Sequence, residues 1–160
     1  VRLVGSEMCI RDRSSSKELS EPAFDELLRR LAAADVDFVV VGGLAVNAWG
    51  VVRGTKDVDV VVANTPDNLK RLAEVAVAAG GHVQRGEAEQ VAIETDLGPL
   101  DVVQGLDGIP GYDELHPRAT KTEILGVAVA VCALEDLKAM KRAAGRTRDL
   151  ADLEDLEATS

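Results

Sequence analysis

Residues 38 to 62, FVVVGGLAVNAWGVVRGTKDVDVVV, decide how this chain reads. An apolar run closes on Gly42-Gly43, a short helical stretch follows, and a second apolar run carries Asp57 and Asp59. Side chains at i and i+2 of a strand point to one face. Asp57 and Asp59 therefore project together, while Val58 and Val60 face the other way. Two adjacent carboxylates repel, and one takes a raised pKa unless a cation neutralises them. The pair is either proton-sharing or a site for a hard divalent metal. Gly42-Gly43 before a helix start offers free backbone N–H groups and, without Cβ atoms, a close approach for phosphate. That favours the metal.

Outward from this stretch, periodicity supplies the remaining elements. Ser20-Glu21-Pro22 reads as a helix start with Ser as cap and Pro in the first turn. Phe24, Leu27, Leu28 and Leu31 then recur at helical spacing to about Ala34. Asp37 to Val41 and Val58 to Val62 are short β-branched runs suited to buried strands. Leu44 to Trp49 is a short helix closed by Gly50. Thr65-Pro66 opens a helix with Leu69, Leu72, Val75 and Ala76 inward and Gly80-Gly81 as its stop. Two weaker strands lie at His82 to Arg85 and Val91 to Thr95. Gly98-Pro99 reads as a turn and Leu100 to Val103 as a strand. Gly105 to Tyr112 is a glycine-rich loop able to border an acceptor site. Val127 to Cys132 is a strand, Leu134 to Ala144 a helix broken by Gly145, and Asp149 to Glu157 a last helix. Strands and helices mix without strict alternation. The expectation is an α/β (α+β) domain with a mixed four- to five-stranded sheet flanked by helices.

The chain has 160 residues, 46% hydrophobic but only 2% aromatic, so its core must be Val, Ala and Leu. Its net charge of −10 argues against an extended contact with duplex DNA, which needs a basic face. No apolar stretch reaches the roughly 20 residues of a membrane helix, and the N-terminus lacks a signal-peptide core. Cys9 and Cys132 are far apart and without CxxC spacing, so neither a disulfide framework nor a zinc site is indicated, and a reducing cytoplasm is expected. Residues 1–13, VRLVGSEMCIRDR, resemble a translated sequencing-adapter peptide. Without their three Arg, one Glu and one Asp the net charge is −11. Residues 1–20 are assigned to such a tail, or a disordered one, plus a linker, and 21–158 to a single domain.

A third acid sits in an apolar setting: Asp101, in Pro99-Leu100-Asp101-Val102-Val103. If its strand neighbours that of Asp57 and Asp59, three carboxylates converge, a donor set suited to Mg²⁺ with substrate phosphates. Neither GxGxxG nor GxxxxGK[ST] occurs, which argues against dinucleotide and P-loop sites. Gly42-Gly43, thirteen intervening residues, Asp57-Val58-Asp59 and the isolated Asp101 together resemble the nucleotidyltransferase superfamily related to DNA polymerase β. The segment VVGGLAVNAWGVVRGTKDVDVVV and the tail LEDLKAMKRAAGRTRDLADLEDL resemble small bacterial members near the AbiEii toxin group. The likeness covers roughly residues 22 to 157 and implies the nucleotidyltransferase fold. By this resemblance, Gly42 and Gly43 hold the triphosphate, Asp57 and Asp59 bind two Mg²⁺ ions (or Mn²⁺), and Asp101 binds the catalytic one. Lys141 matches a late lysine on the nucleotide phosphates and Asp149 a late acid. Gly43 departs from the pattern, since many relatives carry Ser there, and leaves backbone amides as the main grip.

Arg53, Thr55 and Lys56 precede the acidic strand. Arg53 has two readings, a bidentate phosphate clamp or a salt bridge to an acid of the site. Thr55 joins the nucleotide-binding candidates. Lys138 is an accessory candidate, although with Arg142 it reads more simply as a solvated helix end. His82 and His116 have no partner at ligand spacing, Cys132 reads as inert core, and Trp49 as packing. The expected activity is transfer of a nucleoside monophosphate from an NTP to a hydroxyl or phosphate of RNA or a small molecule, releasing pyrophosphate. Asp101 is the expected proton acceptor. A cognate antitoxin or a homo-oligomer is the implied protein partner. The alternatives are a non-catalytic partner of the same fold in a toxin–antitoxin system, an aspartyl-phosphate phosphatase with Asp57 as nucleophile, and a DxD glycosyltransferase. The last explains neither Gly42-Gly43 nor Asp101.

Overall fold

The chain's apolar runs become the middle of one sheet. The structure, a computed structural model, describes residues 22–86, 90–103 and 108–159. The adapter-like segment, Cys9, the Ser20-Glu21 helix start and residues 105–107 of the glycine-rich loop lie outside the described residues. In chain order the elements are α1 (Phe24–Ala33), β1 (Phe38–Val41), α2 (Gly42–Ala48), β2 (Val58–Val62) and α3 (Pro66–Ala78). There follow β3 (His82–Gly86), β4 (Gln90–Thr95), β5 (Gly98–Val103) and α4 (Tyr112–Leu115), which runs into a 3₁₀ turn at His116–Arg118. The chain ends in β6 (Thr120–Ile124), β7 (Val127–Val131), α5 (Leu134–Ala144) and α6 (Thr147–Thr159).

The seven strands form a single sheet in the order β3-β4-β5-β2-β1-β7-β6. β1 runs antiparallel to β2 and parallel to β7, and β2 runs parallel to β5. The sheet is therefore mixed and flanked by helices as expected, but with seven strands in place of four or five. Both weak runs join it as β3 and β4. The unforeseen strand is β6, TKTEI, an edge strand whose first four residues are polar and mostly exposed. It gives no hydrophobic alternation to read. What builds it is its hairpin with β7, turned by Leu125 (φ 53°) and Gly126 (φ 83°). Two consecutive positive φ values match the twist that tight hairpins prefer.

Other departures have local causes. α1 begins at Phe24 and not in the Pro22 turn: Ala23 is non-helical (φ −108°, ψ 64°), and its N–H is bonded to Leu97 O at 2.9 Å. Its buried stripe is the predicted Phe24, Leu27, Leu28 and Leu31, and each such side chain contributes about 1.5–3 kcal/mol on burial. In α3, capped by Thr65, Leu69 is 38% exposed and Asn68 takes the inward position. Asn68 accepts from the Asp37 N–H and donates to Asp37 O and Ala63 O, which ties the start of α3 to the ends of β1 and β2. The turn after β4 is at Asp96-Leu97, with Gly98 (φ 119°) already in β5. Gly145 (φ 64°) closes α5 as read from the sequence. Among the described residues, no helix is long and apolar enough to cross a membrane.

Candidate active site

Sheet register, more than any loop, assembles the acids. Asp59 pairs with Val41 on one side and Asp101 on the other. Paired residues of adjacent strands point to the same face, so Val41, Asp59 and Asp101 share one. Asp57 lies just before β2, two residues upstream of Asp59. One carboxylate oxygen from each of Asp57, Asp59 and Asp101 lies within 4.8 Å of the others. The sequence's convergence of three acids is thus present in the fold.

The electrostatics follow from this crowding. Asp59 keeps some exposure at the cavity mouth, yet protein packs closely about its carboxyl. Burial first, then the charges of Asp57 and Asp101, push its pKa up to about 8, against a partial offset from Lys141. Three oxygen donors whose negative charges are only partly offset suit a hard divalent cation. The donor set therefore fits a metal of the Mg²⁺ class.

Gly42 is required by its backbone conformation, and both glycines are crowded by neighbouring side chains. Gly42 has φ 70°, and a Cβ there would run into the Asp59 carboxylate. At Gly43 a Cβ would stand 2.5 Å from Thr55 Oγ1 and 3.4 Å from Arg53 Nη1. The space beside Gly43 is thus taken by the Thr55 side chain, whose hydroxyl donates to Asp57 O at 3.1 Å. Arg53 makes the second of its two expected contacts, an ion pair, but with an acid outside the triad: Asp152 of α6.

Further cations of the site come from α5, α6 and the turn between them. Lys141 is buried, 3.3 Å from Asp149 Oδ1 and 3.0 Å from Asp152 Oδ2. Arg146 Nε lies 2.6 Å from Asp149 Oδ2. Burial pushes the Asp149 carboxyl up, but hydrogen bonds from Arg146 and Lys141 outweigh it and hold the group below its usual range. Lys138 is not solvated as expected: it is buried at 8% exposure, with Nζ 3.7 Å from Glu135, and does not line the cavity. Arg142 is exposed and pairs with Glu157. Trp49 packs, its Nε1–H donating to Cys132 O, and burial pushes the Cys132 thiol up to about 12. His116 stacks on Tyr112, and His82 opens β3 on the surface.

Triad, glycine turn and cations surround one cavity of about 900 Å³. Gly42, Gly43, Arg53, Thr55, Lys56, Lys141 and Asp149 all line it, together with the three acids. Its apolar wall is Val103, Ile109, Leu137, Met140 and Ala144. Sequence reasoning missed Arg146, Arg148, that wall and Asp152. The one available signal was the i, i+3 spacing of Asp149 and Asp152, which places both on the buried stripe of α6 that ends at Leu156.

Residues 22–159 match the profile of a family described as "Nucleotidyltransferase of unknown function (DUF6036)". No curated protein matches the chain in sequence. Solved structures share the fold at low identity. The lincosamide antibiotic adenylyltransferase LnuA, solved with lincomycin bound, superposes with a TM-score of 0.67 at 13% identity, over 88% of this chain and 98% of that one. The antibiotic-resistance factor ANT(2″)-Ia gives 0.64 at 15% identity, over 91% and 89%. An antigenic nucleotidyltransferase-like protein from Paracoccidioides brasiliensis gives 0.57 at 21% identity, over 88% and 78%.

Proposed function

The chain belongs to the DUF6036 nucleotidyltransferase family, and from that premise we propose that it is a metal-dependent enzyme moving an NMP group from an NTP to an acceptor. The acceptor presents a hydroxyl or phosphate, on RNA or a small molecule, and pyrophosphate leaves. One observation carries this reading: Asp59 faces Asp101 across the sheet, with Asp57 in reach, beside a glycine turn crowded by Asp59 and Thr55.

Asp57, Asp59 and Asp101 are the proposed metal ligands. Bound there, one or two Mg²⁺ or Mn²⁺ ions supply positive charge that offsets the acids and polarises the substrate phosphates. The backbone at Gly42 and Gly43 lets the triphosphate lie close to the chain, with the Thr55 side chain packed beside Gly43. Arg53 and Lys141 face the same cavity and serve the phosphates as charge-assisted donors. The acceptor oxygen attacks the α-phosphorus, the bond to the bridging oxygen breaks, and Asp101 takes the acceptor's proton. Catalysis is by positioning and electrostatics, without a covalent enzyme intermediate.

The solved relatives named above include two enzymes or factors tied to antibiotics, and a small-molecule acceptor is in keeping with them. A toxin-like role and a cognate antitoxin belong to this reading through the AbiEii resemblance alone, and a cytoplasmic setting through the cysteine pattern of the sequence. Nothing observed favours the phosphatase or glycosyltransferase alternatives. The direct test incubates the protein with Mg²⁺, each α-labelled NTP and whole-cell extract, and follows both the label and pyrophosphate. Label on an acceptor, abolished by Asp101→Asn, is the expected result. NTP binding with no transfer to any extract component would establish the non-catalytic alternative.

A further inference from the structure

Arg53 and Lys141 come from distant parts of the chain, a loop before β2 and helix α5, yet both end on one atom. Asp152 Oδ2 lies 3.1 Å from Arg53 Nη1 and 3.0 Å from Lys141 Nζ. Asp152 is only 4% exposed, and a carboxylate so enclosed requires charged partners. Arg53 and Lys141 line the cavity, whereas Asp152 does not. The acid therefore stands behind its two partners as seen from the substrate's side. Arg53 Nη1 also lies beside the glycine turn, 3.4 Å from where a Cβ at Gly43 would be. Arginine has five N–H donors and lysine three, so each keeps donors free to face the cavity after contacting Asp152.

We propose that Asp152 is a positioning residue: one buried carboxylate oxygen that holds Arg53 and Lys141 against the glycine turn as a preset cradle for the outer phosphates of a nucleoside triphosphate. The inference rests on the nucleotidyl-transfer reading above. An acid near phosphate cations also weakens their pull on phosphate, so the two effects oppose one another. Lys141 has a second acid in Asp149, which does line the cavity and already tempers its charge. For Arg53, Asp152 is the only ion-pair partner among the described residues. Loss of the Asp152 charge therefore releases Arg53 from the turn, and the cost of re-ordering a long side chain falls on the ligand. Positioning outweighs neutralisation.

The test compares calorimetric affinities for an NTP and its NMP, with Mg²⁺, in wild type and Asp152→Asn. Only the NTP carries the outer phosphates. Asp152→Asn should weaken NTP binding about tenfold, the scale of coupling within one charged network, and leave NMP binding near the wild-type value. In turnover, KM for the NTP should rise while kcat changes little, and Asp152→Glu should recover part of the loss. An unchanged NTP-to-NMP ratio, or equal loss for both ligands, overturns the proposal. Should Asp152→Asn not fold, Arg53→Gln and Asp152→Glu, alone and combined, replace it: losses in NTP affinity must be less than additive, and additive losses overturn it. A wild-type protein with no preference for NTP over NMP would instead sink the nucleotidyl-transfer reading itself.

Discussion

Asp59 is a carboxyl held where its charge is unfavourable, by burial and by Asp57 and Asp101, with a pKa near 8 in place of 3.8. The folded chain thus keeps this proton to higher pH than the unfolded chain does. Its contribution to stability is intact below the ordinary carboxylate value and is lost as pH rises towards about 8. Metal-free protein should therefore show a falling Tm between pH 5 and about 8, and Asp59→Asn should flatten that slope and melt higher than wild type at the alkaline end. A wild-type Tm that rises over this range would remove the argument. Gly42 bears on the same carboxylate. Gly42→Ala places a Cβ in the left-handed region and against Asp59, so it should cost about 1–2 kcal/mol from the backbone alone, read from the urea midpoint, and abolish transfer. The acids were legible because i, i+2 spacing fixes a common face and because each interrupts an apolar run. Asp152 was not: a single acid in an acidic, amphipathic helix looks like a solvated residue until the fold puts two cations against it.

Among the elements, the pairing of α5 with α6 carries the strongest ionic commitment. Lys141, with its side chain 10% exposed, faces Asp149 at 1% and Asp152 at 6%. Removing one partner of a buried pair leaves charge uncompensated, so Lys141→Met should destabilise by about 3–5 kcal/mol. Arg142→Ala, which breaks a pair of half-exposed side chains, should cost less than about 1 kcal/mol. Equal losses for the two variants in chemical denaturation would show that the network is not buried in solution. Acid should act on the same joint: the hydrogen bonds from Arg146 and Lys141 hold Asp149 low, so its stabilisation is present above the usual carboxylate range and fails only as pH falls below it. These two helices were readable as elements, from Leu137, Met140 and Gly145. Strand β6 was not, because an exposed edge strand has no core-facing period and is specified by its turn and partner.

At the scale of the molecule, the site exists only in the folded chain. β1 and β2 bring the glycine turn and two acids, β5 brings the third, and α5 and α6 close the cavity from the other end of the sequence. The strand neighbours that juxtapose Asp59 and Asp101 are more than forty positions apart in sequence. Local pattern could name those residues but only sheet order could unite them. A ligand set divided in this way binds the native state and not the unfolded one, so binding must appear as stability. At about 100 times its dissociation constant, a nucleotide should add about 2.7 kcal/mol, a rise in Tm of roughly 5–10 °C for a chain of this length. That rise should require the metal, because without it the triphosphate meets three carboxylates that already repel one another. Mg²⁺ alone should raise Tm most near pH 8, where Asp59 is otherwise forced to ionise unaided, and a chelator should reverse both effects. Scanning calorimetry of protein with NTP, with Mg²⁺, with both, and with both plus EDTA separates these terms. An NTP-induced shift of the same size in EDTA would place the nucleotide away from the acids and break the link between triad and substrate.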